Sequence, residues 1–263
     1  MPDAAAEMIS DETVQAMQND IVQTIISLTA AIGLNFDFLN SGYEVDMWLD
    51  GMGMSLILIA VTIPLSLVFG VLFAAALTSG KTWLSAPVRA YIELTRNTPT
   101  LVQLMFGFLV LNMLITNAVG GAQNNPFTPF FWVVSVTGLH IAAFHAEALR
   151  GGIEAVPSTT VEAARSIGFS QNQVLLYVEL PLAIRTALPS IVNNLVNLVK
   201  LTTVGSAIAV SEITYASLMI WTQRDNVIEL MIVLLLFFSV INLVVARIGY
   251  WFERRLAVPG FGQ

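Results

Sequence analysis

The chain has 263 residues, 56% of them hydrophobic and only 11% charged, with a formal net charge of −7 and no cysteine. An ordinary soluble domain carries about 25% charged residues, so the composition points to the bilayer rather than to water. The acidic balance argues against nucleic acid as a partner, and without cysteine neither a disulfide framework nor a zinc–thiolate site can form.

Residues 1–50 hold nine acids (Asp3, Glu7, Asp11, Glu12, Asp20, Asp37, Glu44, Asp46, Asp50) and no Lys or Arg. They lack the basic start of a cleavable signal peptide. Within them, "DIVQTIISLTAAIGLNF" (20–36) is apolar but short of the roughly 20 residues a span needs. It reads as an amphipathic helix lying on the outer face. The alternative is a sixth span, which would move residues 1–19 inside.

Five spans follow. The first covers 52–78, "MGMSLILIAVTIPLSLVFGVLFAAALT"; Pro64 within it is tolerable where neighbours satisfy the freed carbonyl. The second runs over 86–116, broken or kinked at Pro99. "NAVGGAQNNPFTP" (117–129) is a polar turn segment. The third, fourth and fifth spans cover 127–149, 187–210 and 228–250. Alternate loops then collect Lys81, Arg89, Arg96, Arg150, Arg165, Arg185, Arg254 and Arg255 on one side, against only Arg224, beside Asp225, on the other. The positive-inside rule places the first side in the cytoplasm, with the N-terminus outside and the C-terminus inside. Trp48, Trp83, Trp221 and Trp251, near span ends, suit interfacial anchors.

The largest cytoplasmic loop, 150–186, is charged and helix-forming. In "VPSTTVEAARSIGF" Pro157 precedes a helix, Thr159 can cap it with Glu162 three residues on, and Gly168 suits its C-terminus. "SQNQVLLYVELPL" starts again, with Ser170 as cap and Gln173 at the matching position; Pro181 and Pro189 punctuate the return to the membrane. The loop reads as two short helices joined by a glycine bend. Glu162 either closes a capping box or, beside the small residues Ala163 and Ala164, reaches a cation on a partner; both can hold.

These residues carry a resemblance. "EAA", Gly168 four residues beyond Ala164, and "LP" at 180–181 resemble the EAA loop of bacterial ABC importer permeases. "YIELTRNTPTLVQL" (91–104), "AAFHAEALRGGIEAVP" (142–157) and "LPSIVNNLVNLVKLTTVGSAIAVSEI" (188–213) resemble segments of the polar-amino-acid branch, the histidine/glutamine/glutamate type. The likeness spans about 48–255, and "NFDFLNSGYEVD" (35–46) looks like the external N-terminal part of longer members.

The resemblance implies an all-α membrane protein with the type I importer permease fold. Its layout would be an acidic external segment (1–47), a transmembrane domain (48–255) and a cytoplasmic tail (256–263). The implied partners are a second homologous permease subunit, a dimeric ATPase holding ATP and Mg, a periplasmic binding protein, a polar amino acid and the lipid bilayer. Glu162, Ala163, Ala164, Ser166 and Gly168 would meet the ATPase. Arg96, Thr98, Lys200, Thr202, Thr203 and Glu212 would lie along the translocation path. Lys200 sits between uncharged runs, so it either snorkels to the outer interface or faces the path. Leu201 stands where related permeases carry an acid, and "STTVE" replaces a Gly-Gln pair; both departures suit one half of a heterodimer.

Glu147 and Arg150, three apart on one helix face, form an expected ion pair. His140 and His145, five apart, suit packing rather than joint metal ligation. No G-x-x-x-x-G-K-[ST] loop is present, so ATP hydrolysis would belong to another subunit and no cofactor to this one. The rival reading is a secondary transporter or channel, which would need its own coupling-ion site.

Overall fold

The computed structural model describes residues 20–256. The acids Asp3, Glu7, Asp11 and Glu12 and most of the expected tail lie outside the described residues. The helices are α1 (Asp20–Ala30), α2 (Gly42–Thr78), α3 (Thr82–Arg96), α4 (Thr100–Ala118), α5 (Pro129–Glu154), α6 (Ser158–Ser166), α7 (Gln171–Ile208), α8 (Ile213–Trp221) and α9 (Val227–Leu256). Five of them, α2, α4, α5, α7 and α9, are long and apolar enough to cross a membrane. This is the expected number, with changed bounds. α2 begins ten residues before the expected start. The second expected span is cut in two, and only α4 is a span. The described part of α1, Asp20–Ala30, rises about 17 Å at 1.5 Å per residue, short of the hydrocarbon thickness.

The chain forms two compact units. One comprises the described residues up to Met54 together with Ser211–Phe237. Here the segment before α2 is clasped to the turn between α8 and α9. Asn35 N donates to Glu229 Oε1 at 2.6 Å, the Asn226 amide donates to the Asn35 carbonyl, and Arg224 Nε meets Glu44 Oε1 at 2.7 Å. Glu229 and Glu44 are buried, so their charges need these donors. Phe38, Ile220 and Leu230 form the apolar centre, with Trp48 and Trp221 packed against it. Trp48 also donates to Ser217 Oγ at 3.3 Å. Both tryptophans are half-buried in this packing. Trp83 and Trp251 remain largely exposed.

The other unit comprises Ser55–Val210 and the residues from Phe238 onward, and α5 is its centre. Thr128 caps α5, accepting from Phe131 N at 3.3 Å, and Pro129 takes the first turn, where its missing N–H costs nothing. Small residues bring neighbours against α5. A Cβ on Gly70 would lie 2.5 Å from His145 Cβ, and one on Gly138 would lie 2.7 Å from Leu65 Cδ2. One on Gly152 would strike the Ala183 carbonyl oxygen. Close helix approach through glycine and alanine is how membrane helices gain dispersion energy without a hydrophobic driving force.

Candidate coupling loop and translocation site

The break between α3 and α4 is built from the residues of "RNTPTLVQ". Pro99 cannot continue the helix, so carbonyls at the end of α3 lose their partners. Polar side chains replace them. Asn97 Nδ2 donates to the Glu93 carbonyl at 2.7 Å and Thr98 Oγ1 to that of Leu94 at 2.9 Å. Gln103 Nε2 reaches the Thr95 carbonyl at 2.9 Å and the Thr98 carbonyl at 3.1 Å. The break is then tied to α5. His140 Nε2 lies 3.0 Å from Thr100 Oγ1, its Nδ1 lies 3.4 Å from Gln103 Oε1, and Arg96 pairs with Glu147 at 3.4 Å while stacking over Phe144.

The expected Glu147–Arg150 pair is present at 2.9 Å, and Arg150 also holds Glu154 at 2.5 Å. Both histidines are buried and packed, His145 between Ser66 and Asn194. Outside the spans, burial pushes the Tyr91 phenol above its ordinary value, with a hydrogen bond to Thr95 acting the other way.

The loop after α5 carries one correction. α6 starts at Ser158, with Pro157 at the N-cap and no side-chain cap. Thr159 is already inside the helix, so the Thr159–Glu162 capping box does not form. The physical reason is Pro157, whose extended backbone sets the helix start two residues earlier than Thr159 could. Glu162 and Ala163 are exposed, while Ala164 is buried. Ser166 Oγ folds back onto the Glu162 carbonyl at 2.9 Å.

Gly168, at φ +93°, ends α6 as expected. Its N–H reaches the Arg165 carbonyl and the N–H of Phe169 reaches that of Ala164, the paired closure of a Schellman motif. The Ser170–Gln173 capping box is present. The helix it starts is not short. α7 runs on through a π-helical turn at Leu175–Glu179 and past both Pro181 and Pro189 into the fourth span. The wide turn lies directly before Pro181, whose ring would otherwise crowd the carbonyl four residues back.

Further along α7, Lys200 and Thr203 line a cavity of about 370 Å³ with His140, Phe144, Asn194 and Asn197. Thr202 is buried, its hydroxyl on the Val199 carbonyl at 2.8 Å. Glu212 is buried in the other unit and caps α8, accepting from Thr214 N at 2.9 Å and Tyr215 N at 3.0 Å. Thr98 lines a different, apolar groove of about 670 Å³ with Tyr91, Phe106 and Trp132. Of the six expected path residues, the structure thus brings only Lys200 and Thr203 to one cavity. Among the described residues, no cluster of His, Asp or Glu could hold a metal ion.

The sequence pattern of the binding-protein-dependent transport system inner membrane component matches residues 66–258. The chain belongs to this family. It is a permease component of an ABC-type transport system, a transport subunit rather than a catalyst, embedded in the inner membrane by several passes. The permease is 28% identical to the glutamine transport system permease protein of Escherichia coli, over 86% of this chain and 100% of that one. It is 28% identical to the octopine transport system permease protein of Rhizobium radiobacter, over 79% of this chain and 87% of that one. In three dimensions it resembles a solved amino acid ABC transporter crystallised with histidines, with a TM-score of 0.72 and 27% identity. That likeness covers 84% of this permease and 100% of that chain.

One group went unnoticed in the sequence. Thr186, Ser190, Asn193, Asn197 and Lys200 follow one another at steps of four and three along α7, and each is exposed or half-buried. At 3.6 residues per turn they fall within an arc of about 80°. Their spacing was the available signal; the apolar residues between them hid it.

Proposed function

We propose that the permease forms, with a second homologous permease subunit, the translocation path of an importer for polar amino acids. A dimeric ATPase would bind ATP and Mg and engage the α6 loop, and a periplasmic binding protein would deliver the amino acid. The observation that carries this reading is the exposed loop surface: Glu162 and Ala163 point outward on a helix that Gly168 stops with its own backbone. Among the described residues the Glu162 carboxylate meets no partner within the chain. Ala163 and Ser166 leave room for a second backbone to approach, and buried Ala164 holds the loop against the permease.

The path would pass Lys200 and Thr203. Arg96 and Thr98 would lie toward the cytoplasm, Thr202 would hold the backbone beside it, and Glu212 would serve as the cap of α8 in its own unit. The Lys/Arg asymmetry supports an external N-terminus and a cytoplasmic α6 loop, with α1 on the outer face. The test of the whole reading is uptake of labelled amino acids by vesicles holding the complete complex. Uptake should require both ATP and the binding protein; uptake without ATP would favour a secondary transporter. Orientation has its own test. A cysteine placed at Gln171 should resist an impermeant thiol reagent in spheroplasts, and labelling there would reverse the topology.

A further inference from the structure

The cavity beside Lys200 has an unusual charge inventory for a site inside a span. Its polar lining is His140, Asn194, Asn197, Lys200 and Thr203. His140 has one ring nitrogen near Thr100 and the other near Gln103. The Asn194 amide faces His145, and Thr203 Oγ1 bonds the Lys200 carbonyl at 2.8 Å. On α5, which supplies the other wall of the cavity, the carboxylate of Glu147 is shared between Arg96 and Arg150. Lys200 is therefore the cavity's one formally charged lining residue. Among the described residues no carboxylate lies within ion-pair distance of its ammonium.

Snorkelling accounts for one lysine. It does not account for Thr186, Ser190, Asn193 and Asn197 on the same face of α7. A five-residue polar face turned to hydrocarbon would be costly, whereas the same face along a water-filled path would not. At about 370 Å³ the cavity is at the small end of ligand sites, which run from about 300 to 1,000 Å³. It suits a metabolite of a few heavy atoms.

We infer that Lys200 selects substrate by charge, so that this permease passes amino acids with an anionic side chain in preference to cationic ones. The inference rests on the amino-acid importer reading above. Every amino acid brings one carboxylate and one ammonium. Here the carboxylate finds Lys200, while the ammonium finds amide and hydroxyl oxygens and the rings of His140 and Phe144, but no carboxylate in the lining. A second carboxylate is attracted to the same cation. A second ammonium meets the cation with no carboxylate to offset it.

The experiment uses the complete permease–ATPase complex in lipid nanodiscs, without the binding protein, whose own selectivity would mask the site. Binding of labelled L-glutamate, L-glutamine and L-lysine is measured by scintillation proximity. We expect glutamate to bind at least tenfold more tightly than lysine, with glutamine between them. Lys200→Arg should keep that order and Lys200→Glu should invert it. Should Lys200→Glu not co-purify with the ATPase, Lys200→Met decides, and its glutamate-to-lysine ratio should fall toward one. Equal binding of glutamate and lysine by the wild type overturns the inference, as does an order unchanged in Lys200→Glu or Lys200→Met. ATP-driven uptake by the complete vesicles separates the two levels. Uptake of some amino acid with a flat charge order overturns only the role of Lys200; no uptake of any amino acid overturns the importer reading as well.

Discussion

Two interruptions of helix, at Asn97–Pro99 and at Ile167–Phe169, use different helix-breaking residues, a proline and a glycine, and end in opposite conditions. At the first, the side chains of Asn97, Thr98 and Gln103 fold back on the chain and serve the backbone carbonyls of Glu93, Leu94, Thr95 and Thr98. At the second, Gly168 closes α6 through backbone bonds, the Ser170–Gln173 box serves only the restart of α7, and large side chains beside the bend stay outward. Ile167 is 75% exposed and Tyr177 68% exposed. An interruption whose polar groups serve its own backbone is scaffold. One closed by backbone geometry leaves its side chains available to something else.

The sharpest way to break this contrast is Gly168→Val. Nothing lies within 4 Å of the added Cβ, so no clash is expected. The positive φ is the whole problem, costing roughly 1–2 kcal/mol or more for a β-branched residue. Insertion into the membrane should be normal, while substrate-stimulated ATP hydrolysis by the reconstituted complex should be lost. Retained stimulation would mean that the bend does not set the loop's position.

Gln103→Leu probes the other side. It strands the Thr95 and Thr98 carbonyls and removes a partner of His140. The expected cost is about 1–3 kcal/mol of stability, read as a lower thermal midpoint of the purified complex. ATPase association should be unchanged; a collapse in coupling at unchanged stability would make the break a moving part. Glu162→Gln should do the reverse. With no partner for its carboxylate among the described residues, it should leave the midpoint alone and weaken ATPase association about tenfold, or about 1.4 kcal/mol, measured by co-purification titration. Arg96→Met is the smallest effect. The Arg96 and Glu147 side chains are 38% and 24% exposed, and Glu147 keeps Arg150, so under about 1 kcal/mol is expected. A larger drop in the midpoint would show that the stack on Phe144 contributes more than the charge.

The sequence revealed what repeats or is locally obligate. Five apolar runs gave five spans, Gly168 required a left-handed turn, and Ser170 with Gln173 formed its capping box. It misled where two caps competed: Thr159 and Glu162 fit the pattern, but Pro157 lies just upstream and starts the helix first. It also misled at Pro181 and Pro189. Proline usually stops a helix, yet here a π turn precedes Pro181, and the helix continues through Pro189 as well. The clasp of Asn35, Glu44, Arg224 and Glu229 could not be read locally, because its partners are separated by nearly the whole chain. The cavity at Lys200 combines residues of α5 and α7, and only packing brings Asn197 opposite Phe144.

The continuity of α7 makes it a strut. From Gln171 to Lys200 an ideal helix would rise about 1.5 Å per residue, so one continuous helical path of at most about 43 Å, with Pro181 and Pro189 along it, joins the loop surface to the cavity. Such a path does not need a chain of side-chain contacts to carry a displacement. A tilt of about 5° around its middle would move each end by about 2 Å in opposite directions. That is enough to change whether an amide and an ammonium can touch the same small molecule. The π turn at Leu175–Glu179 is an irregular turn along that strut and a place where it would yield. Stiffness there would then set how much of a push at Ser170 arrives at Lys200.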